Sequence, residues 1–107
     1  MVMAQFDLYL HPTPAARTGF PYLVELQSGH LRHLSTRLTM PLQRLSRAPE
    51  GMPRRLAQTV TIDGESLYLA AHQCAALPAS LLRKPVGSLA DQRAVVLDAL
   101  DAVISGV

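Results

Sequence analysis

From Gln5 to Leu10 polar and apolar residues alternate, with Phe6, Leu8 and Leu10 on one face and Gln5, Asp7 and Tyr9 on the other. That period of two predicts a half-buried strand. His11-Pro12-Thr13-Pro14 ends it, because two prolines at this spacing cannot continue a ladder, and residues 11 to 19 read as a loop closing at Gly19. A second run puts Tyr22, Val24 and Leu26 inward and turns at Ser28-Gly29. Leu38, Met40 and Leu42 repeat the pattern with Pro41 among them. Lacking an N–H to donate, Pro41 predicts that the end of this strand lies at a sheet edge.

Two prolines, a glycine and three arginines between Ser46 and Arg55 mark a loop with room for one helical turn. Then comes the clearest local signal: Val60 and Ile62 lead into Asp63-Gly64, a dipeptide suited to positive φ, and Leu67 and Leu69 lead out. It predicts a hairpin over Gln58 to Ala71 with both arms central in the sheet. Pro78 to Leu82 reads as a short strand broken by Pro85-Val86-Gly87. Ser88 is the predicted helix N-cap, with Asp91 three residues on to favour the positive end of the dipole. Leu89, Val96, Leu100, Val103 and Val107 form one stripe at helical spacing, while Asp91, Asp98, Asp101 and Ser105 form another. Gly106 sits where helices commonly stop. The pattern predicts about five or six strands and a terminal helix, with no internal repeat and no βαβ rhythm. The fold is therefore mainly β, an antiparallel sheet or small barrel beside a C-terminal α-helix.

At 107 residues the chain is expected to form one domain spanning 1–107. Hydrophobic residues make up 49% and charged residues only 17%, which excludes a disordered chain. With no Trp, two Phe and three Tyr, the core must be built from Leu, Val and Ala. No stretch reaches the roughly 18 apolar residues that span a bilayer. Met1-Val2-Met3 leads into the strand pattern without the charged and apolar regions of a leader, so a cytoplasmic protein with no membrane association is expected. A lone Cys74 forms no internal disulfide, in keeping with a reducing compartment. The net charge of +2 is slight, and a nucleic-acid binder would concentrate its cations on one face with aromatics to stack bases. Arg44, Arg47, Arg54 and Arg55 crowd one segment without an aromatic among them. They read either as a solvated loop or as a surface for an acidic protein.

Chemistry-bearing clusters are few. His30-x-x-His33 and His72-x-Cys74 pair metal-binding residue types, but structural zinc sites usually show closely paired cysteines, so no metal or other cofactor is expected. Cys74 and His72 would share a face on a strand, yet no third group is at hand to orient them; a small buried thiol is the simpler reading. RNA cleavage without metal needs a base, an acid and a cation, and His30, His33 and Arg32 offer such a set. No glycine-rich phosphate loop and no close acidic pair is present. Asp98 and Asp101 fall in the final helical turns, where the dipole disfavours carboxylates by some tenths of a kcal/mol each. Either exposed aspartates are tolerated there or this face meets a partner. The last residues, Ile104-Ser105-Gly106-Val107, are small or apolar and follow the helix directly, which marks the helix end as a candidate working surface.

Gln5-Phe6, Val24-Glu25-Leu26-Gln27-Ser28, Pro41-Leu42, Ile62-Asp63-Gly64-Glu65-Ser66, Leu77-Pro78 and Gly106-Val107 occur in an order and at separations that resemble the CcdB family of bacterial toxins. The resemblance covers nearly the whole chain. It implies a homodimer on the SH3-like barrel scaffold shared with the MazF and Kid ribonuclease toxins. It further implies a protein that is not an enzyme and has no catalytic residues, but binds the A subunit of DNA gyrase and holds its cleaved-DNA intermediate. A CcdA-like antitoxin would neutralise it through an unfolded acidic segment, and operator DNA would be bound only through the toxin–antitoxin complex. Carried over by position, the gyrase-binding residues are His30 and Leu31 after the second strand and Asp101, Ile104, Ser105, Gly106 and Val107 at the helix end. The family pattern ends in Trp-Gly-Ile, so Ser105 stands in place of the Trp, and His30 in place of an aliphatic residue. No motif marks the antitoxin-facing surface; the basic residues of two loops offer the places for an acidic, folding-on-binding peptide, His11, Thr13 and Arg17 on the first and Arg44, Arg47, Arg54 and Arg55 on the arginine-bearing one. The alternatives are a MazF/Kid-like metal-independent endoribonuclease and a CcdB-like protein that has lost gyrase poisoning.

Overall fold

The hairpin predicted at Asp63-Gly64 is present in the computed structural model, which describes residues 4–106. Strands β4 (Thr59–Ile62) and β5 (Glu65–Leu69) pair with Ile62 opposite Glu65. Between them Asp63 and Gly64 take φ of 50° and 81°, the pair of positive angles that a two-residue type I′ turn requires. The remaining strands are β1 (Asp7–Leu10), β2 (Tyr22–Glu25), β3 (Thr36–Arg44), β6 (Ala75–Pro78) and β7 (Gly87–Ser88). All pair antiparallel in one seven-stranded sheet of order β4-β5-β3-β2-β1-β7, with β6 attached to β3. A single α-helix among the described residues, α1 (Arg93–Ser105), follows. The mainly β architecture with a C-terminal helix is as expected, a sheet curled into a half-barrel.

Strand β3 is the spine, and it corrects the reading of Pro41. Leu26 N–H donates to Leu38 O at 2.9 Å, so Leu38, Met40 and Leu42 turn their backbone groups toward β2 and Pro41 turns its nitrogen away. On that far side the β6 ladder ends at Thr39 and the β5 ladder begins at Leu42. Pro41 sits at the seam, where no partner needs its missing N–H, while its carbonyl accepts from Ala70 N at 3.1 Å. The proline thus lies in the middle of a central strand. Conversely β4, expected to be central, is the edge. Pro78 to Leu82 is not a strand: β6 ends at Pro78 and a 3-10 turn, Ala79–Leu81, follows.

The first two strands are covered on both faces. Leu8 and Val24 pair in the main core with Phe6, Met40, Leu42, Val60, Leu67, Leu69 and Val96. On the opposite face Tyr9, Leu23 and Leu82 form a second cluster with Leu77 against it. Hence Tyr9, expected to face solvent, is 2% exposed, whereas Leu10, expected inward, is 45% exposed. The strand also begins late, because Phe6 has a positive φ of 70°. This conformation costs a non-glycine residue about 1–3 kcal/mol. Burial of the ring and the bonds Phe6 N to Glu25 O (2.7 Å) and Leu89 N to Phe6 O (2.8 Å) hold it there.

The helix starts five residues after the predicted cap. Ser88 Oγ does accept an amide, from Ala90 at 3.1 Å, but Ser88 is itself paired with Asp7 in the sheet, and what begins at Ala90 is the 3-10 turn Ala90–Gln92, whose N-cap position is Leu89. From Arg93 the chain is α-helical, burying Val96, Ala99 and Ala102. Val103 is 38% exposed. The inward stripe is therefore centred on alanines, which let the helix sit close to its supports, the 3-10 turns Arg54–Leu56 and Ala71–Gln73 and strand β4. Gln92 closes the gap the curled sheet leaves: its Nε2 donates to Thr61 O and its Oε1 accepts from Thr61 N, both at 2.9 Å. One side-chain amide thereby takes the place of a neighbouring strand along edge β4.

Candidate functional site

At the helix end, Gly106 adopts φ 69° and its N–H donates to Ala102 O at 3.2 Å, the left-handed cap that ends an α-helix. Ile104 is 75% exposed, the most exposed large apolar side chain among the described residues, and Ser105 is exposed beside it. Val107, also expected on this surface, lies outside the described residues. Under the last turn runs a cleft of about 400 Å³ lined by Met52, Leu56, Tyr68, His72, Val103 and Gly106, among others. Its walls are mainly apolar. Tyr68 and His72 meet there with ring centroids 6.3 Å apart.

The acidic face of the helix is not free. Arg55 donates to Asp98 at 2.9 Å and to Asp101 at 3.3 Å, and Gln58 Nε2 donates to the other Asp98 oxygen at 2.6 Å. The Gln58 and Arg55 bonds hold the Asp98 carboxyl below its ordinary range, and Asp98 in turn raises Arg55. This fork offsets the unfavourable dipole position of both aspartates. It also joins two groups of residues that the sequence reading assigned to separate partners, Asp101 to gyrase and Arg55 to the antitoxin. Arg54 and Arg55 stand on the turn that supports α1, so the arginine-bearing loop is divided.

Its other arginines face the first loop. Arg44 pairs with Glu65 at 2.7 Å and donates to Thr18 O at 3.1 Å. Arg47 ends the 3-10 turn Leu45–Arg47, where its carbonyl accepts from Gln43 Nε2 at 3.0 Å. Arg17, on the turn Pro14–Thr18, donates through Nε to His11 O at 2.7 Å. Thr13 N–H donates to His11 Nδ1 at 3.1 Å, a bond that needs the neutral ring, and burial followed by the nearby Arg17 charge lowers the His11 pKa. His11, Thr13 and Arg17 are thus brought together, and Arg44 reaches the same loop at Thr18.

His30 and Leu31 stand on the 3-10 turn Gly29–Leu31, away from the supports of α1. Ser28 Oγ accepts from His30 N at 3.2 Å. Gln27 pins the loop with three bonds: Nε2 to the carbonyls of Leu31 and Thr36, and Leu38 N–H to Oε1, each at 3.1 Å. Leu31 and Leu34 are left 44% and 43% exposed. Beneath them Arg37, buried in β3, donates to the carbonyls of Arg32, Leu34 and Thr36 and lies 3.6 Å from Glu25, an ion pair too long for a hydrogen bond. Burial raises the Glu25 pKa against the opposing pull of Arg37, and burial with the Glu25 charge pushes the Tyr9 phenol up to about 12. Arg37 escaped the sequence reading, where the available signal was a charge inside an apolar run, and Glu25 and Gln27 entered it only as part of the Val24-Glu25-Leu26-Gln27-Ser28 motif.

Cys74 follows the turn Ala71–Gln73, not a strand position shared with His72, and packs half-buried against the core. Burial pushes its thiol up to about 11, which leaves almost no thiolate at neutral pH. His30, Arg32 and His33 lie together on the exposed β2–β3 connection. No group of three His, Cys, Asp or Glu side chains able to hold a metal occurs among the described residues. Among the described residues no helix is long and apolar enough to cross a membrane.

Comparison with known families finds a match to the CcdB protein family over residues 5–106. No curated protein matches the chain. The match takes in the Asp63-Gly64 hairpin, the Gln27-pinned loop and the glycine-capped helix end, and it spans every strand of the curled sheet. The chain belongs to the CcdB family, the toxins of toxin–antitoxin modules.

Proposed function

We propose that this chain binds the A subunit of DNA gyrase through the end of α1 and holds the cleaved-DNA intermediate, converting the topoisomerase into a source of double-strand breaks. The observation that carries the reading is the exposed Ile104-Ser105-Gly106 end, beside an apolar cleft, in a chain of the CcdB family. Asp101, Ile104, Ser105, Gly106 and Val107 form the main contact, with Ile104 supplying the apolar anchor that Ser105 does not. His30 and Leu31 complete it across a homodimer, whose second copy brings another helix end. The protein acts by binding rather than catalysis, in the cytoplasm, and needs no cofactor. A CcdA-like antitoxin neutralises it at His11, Thr13, Arg17, Arg44 and Arg47, with Arg54 and Arg55 adjoining the gyrase surface, and the two proteins together repress their operator.

Incubated with gyrase from its host, ATP and supercoiled plasmid, the purified protein is expected to accumulate linear DNA after detergent treatment and to leave RNA intact. RNA cleavage that survives repurification, with no trapped gyrase complex, overturns the reading in favour of the ribonuclease alternative.

A further inference from the structure

A second surface stands apart from the helix end. Leu10, Leu81 and Val86 are 45%, 48% and 53% exposed, and they line one groove of about 370 Å³ together with Arg17, Arg83 and Lys84. Among the described residues no carboxylate lines it. Arg17 is oriented by its Nε bond to His11 O, and no protein acceptor is bonded to its terminal nitrogens among the described residues. Arg83 and Lys84 are exposed.

The groove also borders an open strand edge. His11 N–H donates to Pro21 O on the β2 side of β1, and Leu8 O accepts from Val86 N on the other side, at 3.0 and 2.7 Å. Backbone groups alternate along a strand, so Leu10 points its N–H and C=O the same way as Leu8. There β7 has ended, since it contains only Gly87–Ser88. Among the described residues Leu10 therefore presents an unpaired donor and acceptor beside three cations and the side chains of Leu81 and Val86.

We infer that this groove receives an extended acidic segment bearing aliphatic side chains, which adds to the β1 edge at Leu10 and sets its carboxylates against Arg17, Arg83 and Lys84. The inference rests on the toxin–antitoxin reading for its natural occupant, the acidic segment of the antitoxin. Charge complementarity favours a polyanion, and the aliphatic floor selects a peptide. A nucleic acid would offer phosphates but nothing to cover Leu81 and Val86, and the groove's aromatic ring, Tyr9, is buried and gives no stacking surface. Edge addition supplies affinity through main-chain bonds, with alternate side chains reading the groove.

The test uses fluorescence anisotropy of the full chain with a short labelled peptide alternating Glu and Leu, beside a matched peptide carrying Gln for Glu and a single-stranded oligonucleotide. The acidic peptide is expected to bind best, with affinity falling as salt rises. The double variant Arg83→Glu, Lys84→Glu should weaken binding by about tenfold or more, while Arg93→Glu, outside the groove, should not. Amide exchange at Leu10 should slow when peptide is bound. Equal binding of the Gln peptide, preference for the oligonucleotide, no binding at millimolar peptide, or an unaltered Leu10 amide overturns the groove. An antitoxin that neutralises the charge-reversed variant as well as the parent chain also overturns it, yet leaves the toxin–antitoxin reading standing.

Discussion

Gly106 illustrates how one residue can hold two roles that a single substitution would confuse. Its φ of 69° strains any residue with a Cβ, though a Cβ built there meets nothing within 4 Å. Gly106→Ala should therefore cost about 1 kcal/mol, read from urea unfolding, through backbone strain alone. Asn tolerates the left-handed region better, so Gly106→Asn should keep most of the stability while placing a side chain on the proposed gyrase surface. Loss of gyrase trapping in a stable Gly106→Asn protein supports a contact role; full trapping removes Gly106 from the surface. Glu25 gives a pH prediction at the same scale. Its folded pKa is raised, chiefly by burial, so the folded state holds the proton more tightly than the unfolded chain. Stability should then fall as pH rises from the ordinary carboxylate range through the folded pKa. Glu25→Gln should remove that slope, and an unchanged pH dependence of unfolding would show that other groups set it.

Among the elements, the β4 edge depends on Gln92. Because this amide satisfies both backbone groups of Thr61, Gln92→Ala should cost about 1–2 kcal/mol and speed hydrogen exchange at the Thr61 amide. Thr61 protection equal to the parent's would mean that the edge is covered in another way. An uncovered edge also pairs readily with other chains, so the variant should aggregate sooner on heating. The helix end raises a related matter. Because Arg55 is bonded to Asp98 and Asp101, deleting the residues after Ile104 leaves the fork intact, whereas changing Asp101 disturbs the arginine turn as well. The truncation is thus the cleaner probe of gyrase binding, and Asp101 substitutions should perturb both partners.

At the scale of the whole molecule, a 107-residue chain with five aromatic rings has a limited core, and Ile104, Leu31 and Leu34 remain at the surface. A homodimer would cover part of this apolar area and set two helix ends side by side. Sedimentation at micromolar concentration should give about 23 kDa, twice the chain's 11.6 kDa. A stable monomer would leave His30 and Leu31 without a route to the helix end, and the contact would reduce to Asp101 and the residues after it.

Local chemistry determined much by itself. The Asp63-Gly64 hairpin, the glycine helix stop, the first three strands and the mainly β class follow from turn propensity and alternation, which act over a few residues. The CcdB resemblance was legible for the same reason, since its motifs are short segments in a fixed order. Alternation could not show that β1 and β2 are covered on both faces, so Tyr9 became buried once Leu82 and Leu77 covered the second face, while Leu10, the last residue of β1, is left exposed. Pro41 could be central only because β6 and β5 meet beside it, which is a fact about pairing between distant segments. The helix began late because Ser88 was claimed by the sheet, and Arg55 moved to α1 because its acceptors lie over forty residues away. Sequence fixes what a residue can do within its own turn; tertiary structure decides which distant partner satisfies it.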